Sequence, residues 1–270
     1  MSNAIKITKG LDLNLYGAPM PEVVETFVSE YALKPKDFIG LIPKLMIEEG
    51  ERVKAGTPLF YAKGEEKVLF TSPVSGVVKQ VKRGAKRVIE EVIISAEETV
   101  EYLDFGVSNI SELSAEQIKE KLLVSGAWTL LRQRPYSVVP SPDTTPKCII
   151  VSGFSSAPLA PDYSVLLKGL NKELQAGIDV LKKMTGVTIH VNLPAKKGRA
   201  DELAQLQNAQ INTFEGKHPC GNVSVQIEKL DPINKSERVW YLDAQDLVAI
   251  GRLFLEGKYD TTRLVALTGQ

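Results

Sequence analysis

The sequence of 270 residues is short of several things at once. It holds two histidines and two cysteines, Cys148 and Cys220. Two thiols cannot build a disulfide framework, a four-thiolate zinc site or an iron–sulfur cluster. Scarce histidine restricts acid–base chemistry near neutral pH. Net charge is missing too, because 33 basic and 33 acidic side chains cancel. Bulk attraction to nucleic acid or an anionic bilayer is therefore no default, and partners must be sought in local patches. No apolar run approaches the roughly 18 to 20 residues of a membrane span. The best candidate, Leu247 to Leu255, is broken by Arg252. The amino-terminal lysines are followed by no apolar stretch, so no secretory signal is expected. No serine sits in a G-x-S-x-G elbow, and no G-x-x-x-x-G-K-[ST] or G-x-G-x-x-G follows a strand.

What is present has ordinary globular composition, 43% apolar and 24% charged. At roughly 150 residues per domain the length suits two domains. Residues 1–35 read as an N-terminal extended arm, with Ile5, Ile7, Leu11, Leu13 and Leu15 alternating toward Gly17-Ala18-Pro19. Residues 36–98 hold short strands cut by turn residues, with glycines at 50, 56, 76 and 84. They predict a small all-β module built as two similar halves. Inside it Lys79, Lys82, Arg83, Lys86 and Arg87 crowd together. This cluster reads either as a solvated hairpin tip followed by its counter-charges Glu90 and Glu91, or as a docking surface for an acidic partner. Residues 99–147 predict a helix, started by Ser114 with Gln117 at capping-box spacing and stopped at Gly126. A linker or surface loop follows, marked by Pro135, Pro140, Pro142 and Pro146.

Residues 148–270 change texture. Cys148 to Val151 suits a buried strand. Leu166, Leu170, Leu174, Ile178 and Leu181 predict one helix, capped by Asp162 or Ser164 and stopped at Gly186. Strands at Val187–Val191 and Ile211–Phe214 flank a short helix near Asp201–Gln207. Asp243 caps a last helix that ends at Gly257. Strand–helix alternation of this kind is the signature of an α/β layer with parallel pairing. The fold class expected is mixed α/β, a β module joined to an α/β domain. The turn Ser152-Gly153-Phe154-Ser155-Ser156 has one glycine and a bulky phenylalanine, which makes a poor phosphate cradle.

Two segments stand out chemically. His218-Pro219-Cys220-Gly221 is either a rigid connection whose imidazole satisfies a carbonyl or a loop facing a ligand or partner. A Cys220–His218 nucleophilic pair is not expected, since a proline separates them and no third group orients them. The second segment, Gly126 to Tyr136, combines Trp128, Arg132, Arg134 and Tyr136. Those residue types suit a protein interface, a quinone ring or an anionic group, or else packing within their own domain. Trp128, Arg132, Arg134, Tyr136, His218, Pro219 and Gly221 are the quinone- or partner-facing candidates. His190, mid-strand, reads as a half-buried side chain. No catalytic, cofactor-binding or metal-binding residue is expected.

Several segments resemble one family. Ile5-Lys6-Ile7-Thr8-Lys9-Gly10-Leu11-Asp12, Leu131-Arg132-Gln133-Arg134-Pro135-Tyr136-Ser137, His218-Pro219-Cys220-Gly221 and Val239-Trp240-Tyr241 with Gln245 to Phe254 are similar to the A subunit of the bacterial sodium-translocating NADH:quinone reductases. The resemblance implies a barrel-sandwich hybrid module like those of lipoyl and biotinyl carriers. It also implies a Rossmann-like domain like the flavin- and NADH-binding subunit of respiratory complex I. In the carriers the modified lysine sits at a hairpin tip, and the corresponding position here is Glu65, with Lys63 and Lys67 nearby. In the flavoprotein a glycine-rich loop holds the flavin, and the corresponding Gly126–Pro135 has Trp128, Leu130, Leu131 and Arg132 in place of most glycines. The resemblance thus implies a cofactor-free, peripheral subunit on the cytoplasmic face of the inner membrane. The complex around it would supply NADH, flavins, iron–sulfur centres and ubiquinone, reducing the quinone and exporting Na+. Its partners would be the membrane-bound subunits, with ubiquinone as a further candidate; this chain would have a role in assembly, with quinone handling as a further candidate role. Family chains continue past Gln270, which implies a truncated fragment. The competing readings are a soluble biotinyl or lipoyl carrier, and the cluster-bearing subunit of an ion-translocating ferredoxin oxidoreductase.

Overall fold

The computed structural model describes residues 4–13, 15, 22–195 and 199–267. The chain opens with strands β1 (Ile5–Ile7), β2 (Glu30–Leu33), β3 (Pro43–Leu45), β4 (Arg52–Val53) and β5 (Pro58–Ala62). Strands β6 (Glu65–Thr71), β7 (Gly76–Arg83) and β8 (Ile89–Ala96) precede helix α1 (Ala115–Ser125) and strand β9 (Arg132–Arg134). Then come β10 (Cys148–Ser152), α2 (Tyr163–Leu166), α3 (Asn171–Thr185), β11 (Thr188–Pro194), α4 (Asp201–Ala204) and β12 (Gln210–Gly216). Helix α5 (Val223–Leu230), strand β13 (Val239–Asp243) and helix α6 (Ala244–Glu256) complete the order. The chain divides into two compact units.

The β unit takes Val24–Thr145 and Arg252–Thr261. Its strands form one sheet ordered β2-β8-β7-β4 and another ordered β3-β5-β6. Buried side chains come from both, among them Leu59, Phe60, Val68, Phe70, Val78, Val92 and Ile94. Phe60 stacks on Phe70 with ring centroids 5.0 Å apart. At Gly76 an added Cβ would lie 1.9 Å from the Ser95 carbonyl oxygen, so only glycine lets the two strands approach there. Strand β3 lies at a sheet edge. Ile42 O accepts from Lys63 N–H and Met46 N–H donates to Leu59 O, both at 2.9 Å. Residues 42, 44 and 46 therefore bond inward and Pro43 faces out, where its missing N–H blunts the edge against a further strand. The expected basic cluster is a hairpin tip. Lys79 pairs with Glu30 and Lys82 with Glu91 at 3.6 Å, while the Glu90 side chain packs over Gly84. Helix α1 carries the expected capping box, with Gln117 N–H donating to Ser114 Oγ at 3.2 Å and Ser114 N–H to Gln117 Oε1 at 2.8 Å.

The α/β unit takes the residues up to Val23, Pro146–Gly251 and those from Thr262 onward. Within it the strands run β1-β12-β11-β10-β13, each neighbouring pair parallel. Strand β10 is buried at every residue, as a two-sided parallel strand must be. Helices α3 and α6 approach closely through glycines. A Cβ on Gly251 would lie 1.9 Å from Glu173 O, and one on Gly177 would lie 2.5 Å from Leu247 O.

Several expectations need correction. Residues 5–7 of the expected arm form an edge strand, with Ile5 opposite Phe214 and Ile7 opposite Gly216. Residues 30–33 of that arm belong to the β unit through β2, which pairs with β8. The Gly17-Ala18-Pro19 end of the arm lies outside the described residues. The single helix expected through Leu166 and Leu181 is two, α2 and α3, because Gly169 turns the chain with φ of 79° between them. Asp162 caps only the first, accepting from Ser164 N–H at 2.9 Å. The short helix near Asp201 stops at Ala204. Helix α5 and strand β13 have no counterpart among the elements the sequence predicts.

Candidate functional site

The open end of a parallel sheet is where α/β domains take ligands, at the point where strand order reverses. Here β11 and β12 lie on one side of β10 and β13 on the other, so that point falls between β10 and β13. The chain's own side chains fill it. The Tyr163 hydroxyl donates to Asp243 Oδ2. Gln245 N–H donates to Asp243 Oδ1 at 2.9 Å, and Asp243 N–H to Asp246 Oδ2 at 3.0 Å. Arg263 donates to Asp246 Oδ1. The Gln245 amide brackets Leu264, accepting from its N–H at 3.0 Å and donating to its carbonyl at 3.2 Å. Burial, and then the Asp243 charge, push the Tyr163 hydroxyl well above the usual tyrosine range. Two carboxylates therefore stand at the N-terminus of α6, where a dinucleotide phosphate would need positive potential and free amides. These residues do not fit a nucleotide phosphate.

The turn after β10 agrees. Ser152 Oγ donates to Phe154 O at 3.2 Å, and Phe154 packs in a core with Phe214 and Cys220. Gly153 has Leu203 Cδ1 at 2.6 Å and Asn192 O at 2.9 Å from an added Cβ, so packing rather than a ligand demands it.

The His218 loop closes on itself. His218 N–H donates to Asp12 Oδ1 at 3.0 Å, and His218 O accepts from Leu11 N–H at 3.0 Å. The imidazole Nδ1 lies 3.1 Å from Ser156 Oγ, which also accepts from Gly221 N–H at 2.8 Å. The His218–Pro219 bond is cis. Gly221 is buried, and a Cβ there would meet Ser156 N at 2.3 Å. The buried Cys220 thiol donates to Gly216 O at 3.1 Å, and burial raises its pKa. This geometry fastens the N-terminal arm to the loop through Asp12 and the turn after β10 to it through Ser156, neither of them among the site candidates the sequence offers. His190 lies on β11 at 9% exposure, with Nδ1 3.2 Å from Asn212 Nδ2. Asn212 donates on to Asn192 at 3.0 Å, and Asn192 to Gln226 at 2.9 Å.

Trp128, Arg132, Arg134 and Tyr136 lie in the β unit. Trp128, expected to face a quinone or partner, is instead 1% exposed, and its indole N–H donates to Pro140 O at 2.8 Å. Its neighbour Gly126 ends α1 with φ of 84°. The Arg132 guanidinium lies over the Phe38 ring at 5.1 Å and donates to Thr129 O. After the cis Arg134–Pro135 bond, Tyr136 is 75% exposed at a turn closed by Gln133 N–H on Val138 O at 2.7 Å. Of the four, Tyr136 alone offers a largely free side chain.

The proline-rich stretch expected as a linker is strapped down at three successive residues. Pro140 O takes the Trp128 bond, the Ser141 hydroxyl donates to Glu65 at 2.8 Å, and Pro142 O accepts from Lys119 Nζ at 2.7 Å. Glu65 begins β6 just after the Lys63-Gly64 turn. The position aligned with a carrier's modified lysine is therefore a carboxylate held by a serine. Among the described residues no group of three or more His, Cys, Asp or Glu is placed to hold a metal ion, and no helix is long and apolar enough to cross a membrane.

Fold and site together define a protein of mixed α/β class, a β-sandwich module with an α/β domain whose nucleotide-type crevice is filled by its own side chains. Comparison gives the family. The NqrA N-terminal barrel-sandwich hybrid domain matches residues 5–97, and the NqrA second alpha/beta domain matches residues 113–259. The chain belongs to the NqrA family. It is 39% identical over 98% of its length to the A subunit of the Na(+)-translocating NADH-quinone reductase of Serratia proteamaculans, covering 60% of that protein. The corresponding proteins of Hahella chejuensis and Alcanivorax borkumensis match at 40% and 38%, again with 98% of this chain and 60% of the relative covered. The chain thus spans about three fifths of the length of these relatives.

Proposed function

We propose that this chain is a peripheral, cofactor-free part of a respiratory Na+ pump that couples NADH oxidation and ubiquinone reduction to Na+ export. The observation that carries this reading is the match of 98% of the chain to proteins named as the A subunit of Na(+)-translocating NADH-quinone reductases. The filled crevice at Asp243 and Asp246 supports the cofactor-free part, because the Asp243 and Gln245 amides are already bonded to carboxylates and the local charge is negative. The chain works at the cytoplasmic face beside the membrane-bound subunits, contributing to assembly. If it also handles quinone, the exposed Tyr136 and its neighbour Arg134 are the groups to do so. The carrier reading is less favoured, since Glu65 has no amine to modify, and so is the ferredoxin oxidoreductase reading, which needs clustered cysteines.

The test is reconstitution of the pump with and without this chain, reading quinone reduction and Na+ transport separately. Loss of either activity, restored by adding the chain back, supports the reading. Full activity without it would overturn it. A stoichiometric flavin or iron–sulfur absorbance in the purified chain would overturn the cofactor-free part alone.

A further inference from the structure

One face of the β unit combines bare aliphatic side chains with unpaired lysines. Residues 38–42, Phe38-Ile39-Gly40-Leu41-Ile42, form a loop with no polar side chain, closed by Leu41 N–H on Phe38 O at 3.1 Å. Its root is held: Phe38 packs edge-on against Phe70 with centroids 4.6 Å apart and lies under Arg132 at 5.1 Å. Its crown is not held. Ile39 is 59% and Ile42 60% exposed, and Met46 beyond them is 50% exposed. Side chains alternate along a strand, so Ile42, Lys44 and Met46 share one face. Lys63 stands opposite Ile42, its N–H bonded to Ile42 O at 2.9 Å, and Tyr61 stands opposite Lys44. Lys44 and Lys63 have no carboxylate partner among the described residues. The nearest carboxylates in sequence are Glu48, four residues beyond Lys44, and Glu65, two beyond Lys63; Glu65 accepts from the Ser141 hydroxyl.

We propose that this face docks on an anionic lipid surface, with Ile39, Ile42 and Met46 entering the headgroup boundary and Lys44 and Lys63 contacting lipid phosphates. Three observations select this occupant. Pro43 removes the outward N–H at the sheet edge, so an added partner strand is disfavoured. The charged side chains placed on this face, Lys44 and Lys63, are lysines, which are depleted from protein interfaces but keep their ammonium in the headgroups while their stems lie along apolar surface. The chain as a whole has no net charge, so any preference for an anionic surface must arise from a local patch such as this one. The anchored root leaves little ordering cost on docking. The inference does not rest on membership of the pump, because the chain alone would bind.

The test is flotation of the full chain with vesicles of phosphatidylcholine containing 30% phosphatidylglycerol, against vesicles of phosphatidylcholine alone. Expected are preferential binding to the anionic vesicles and weakening at 0.5 M salt. Replacing Lys44 and Lys63 by serine should lower the affinity roughly 30-fold, at about one kcal/mol per lysine. Ile39→Ser with Ile42→Ser should abolish binding, and both side chains are exposed enough for the fold to survive, which the melting curve checks. Equal binding to both vesicles, no binding at millimolar lipid, or binding unaffected by either pair would overturn the proposal. So would a dimer in solution that the isoleucine pair dissolves, which would assign the face to a second copy.

Discussion

The Ser141 hydroxyl donates to the Glu65 carboxylate across 2.8 Å, joining residues 76 apart in sequence at the tip where a carrier module would hold its modified lysine. Where the resemblance implies an attachment point, the structure has a clasp. Glu65→Lys should therefore not restore a carrier. After co-expression with a biotin or lipoate ligase, the intact mass should show no adduct, because the new side chain starts beneath the strap. A stoichiometric adduct would refute this. Glu65→Ala should cost about 1.5 kcal/mol, the lower end for one hydrogen bond to a charged group, at a half-buried site, read from the urea midpoint.

Gly251 marks the other tight place. Its missing Cβ leaves room for the Glu173 carbonyl oxygen, which would otherwise lie at 1.9 Å. That atom is backbone in the first turn of α3 and cannot rotate away. Gly251→Ala should cost about 1–3 kcal/mol, as overpacking does, and lower the melting temperature by several degrees. Gly169→Ala is the comparison: its φ is 79° but nothing lies within 4 Å of the added atom. It should cost about 1 kcal/mol from backbone strain alone. Equal effects would show that helix packing is looser than the distances imply.

These two sites show what a sequence carries and what it does not. Local chemistry is legible: the Ser114–Gln117 capping box, the turn glycines and the apolar run at Cys148 all specify structure through near neighbours. The change of texture after the proline-rich stretch supplies the two-domain scheme, and the family resemblance says what each module is like. Pairings distant in sequence are not legible. Nothing in Ile5–Ile7 announces Phe214 as its neighbour, and the Glu65–Ser141 clasp has no periodic signal. Strand β13 hides because Val239 to Asp243 is short and runs straight into α6. Gly169 divides a helix whose leucine spacing continues on both sides, since periodicity reports a buried stripe and not backbone continuity. Exposure is not legible from composition either. Trp128 is a residue type common at interfaces, but its N–H has a carbonyl waiting at Pro140.

Both tryptophans, Trp128 and Trp240, are 1% exposed. Emission of the native chain should accordingly be blue-shifted and poorly quenched by acrylamide, then shift red and become quenchable on unfolding. A water-soluble quinone should produce only a shallow, non-saturating loss of intensity. Saturable quenching at micromolar quinone would show a binding site reaching one of the two indoles, against their burial. Trp128→Phe should keep the packing and lose the bond to Pro140 O, at a cost of about 1 kcal/mol.

Alkaline pH should unfold the α/β unit, and the sign follows from two buried acids. Burial first, and then the Asp231 charge, push the Cys148 thiol from its ordinary 9.0 up to about 12. Burial and Asp243 raise the Tyr163 hydroxyl as well. In both, folding favours the protonated, neutral form. The stability this lends is complete below the unfolded values, near 9 for the thiol and near 10 for the phenol. Above them the unfolded chain ionises first, so stability falls as pH rises, for Cys148 until the folded value near 12 is passed. Urea midpoints should hold level from pH 7 to 8.5 and decline steadily beyond pH 9. Cys148→Ala should start lower at neutral pH, because a buried sulfur is lost, but decline less steeply between pH 9 and 11. A variant whose slope matched the parent's would exclude the Cys148 thiol as a source of the alkaline sensitivity and leave Tyr163 and the buried Cys220 thiol to account for it, with Tyr163→Phe and Cys220→Ala the deciding comparisons.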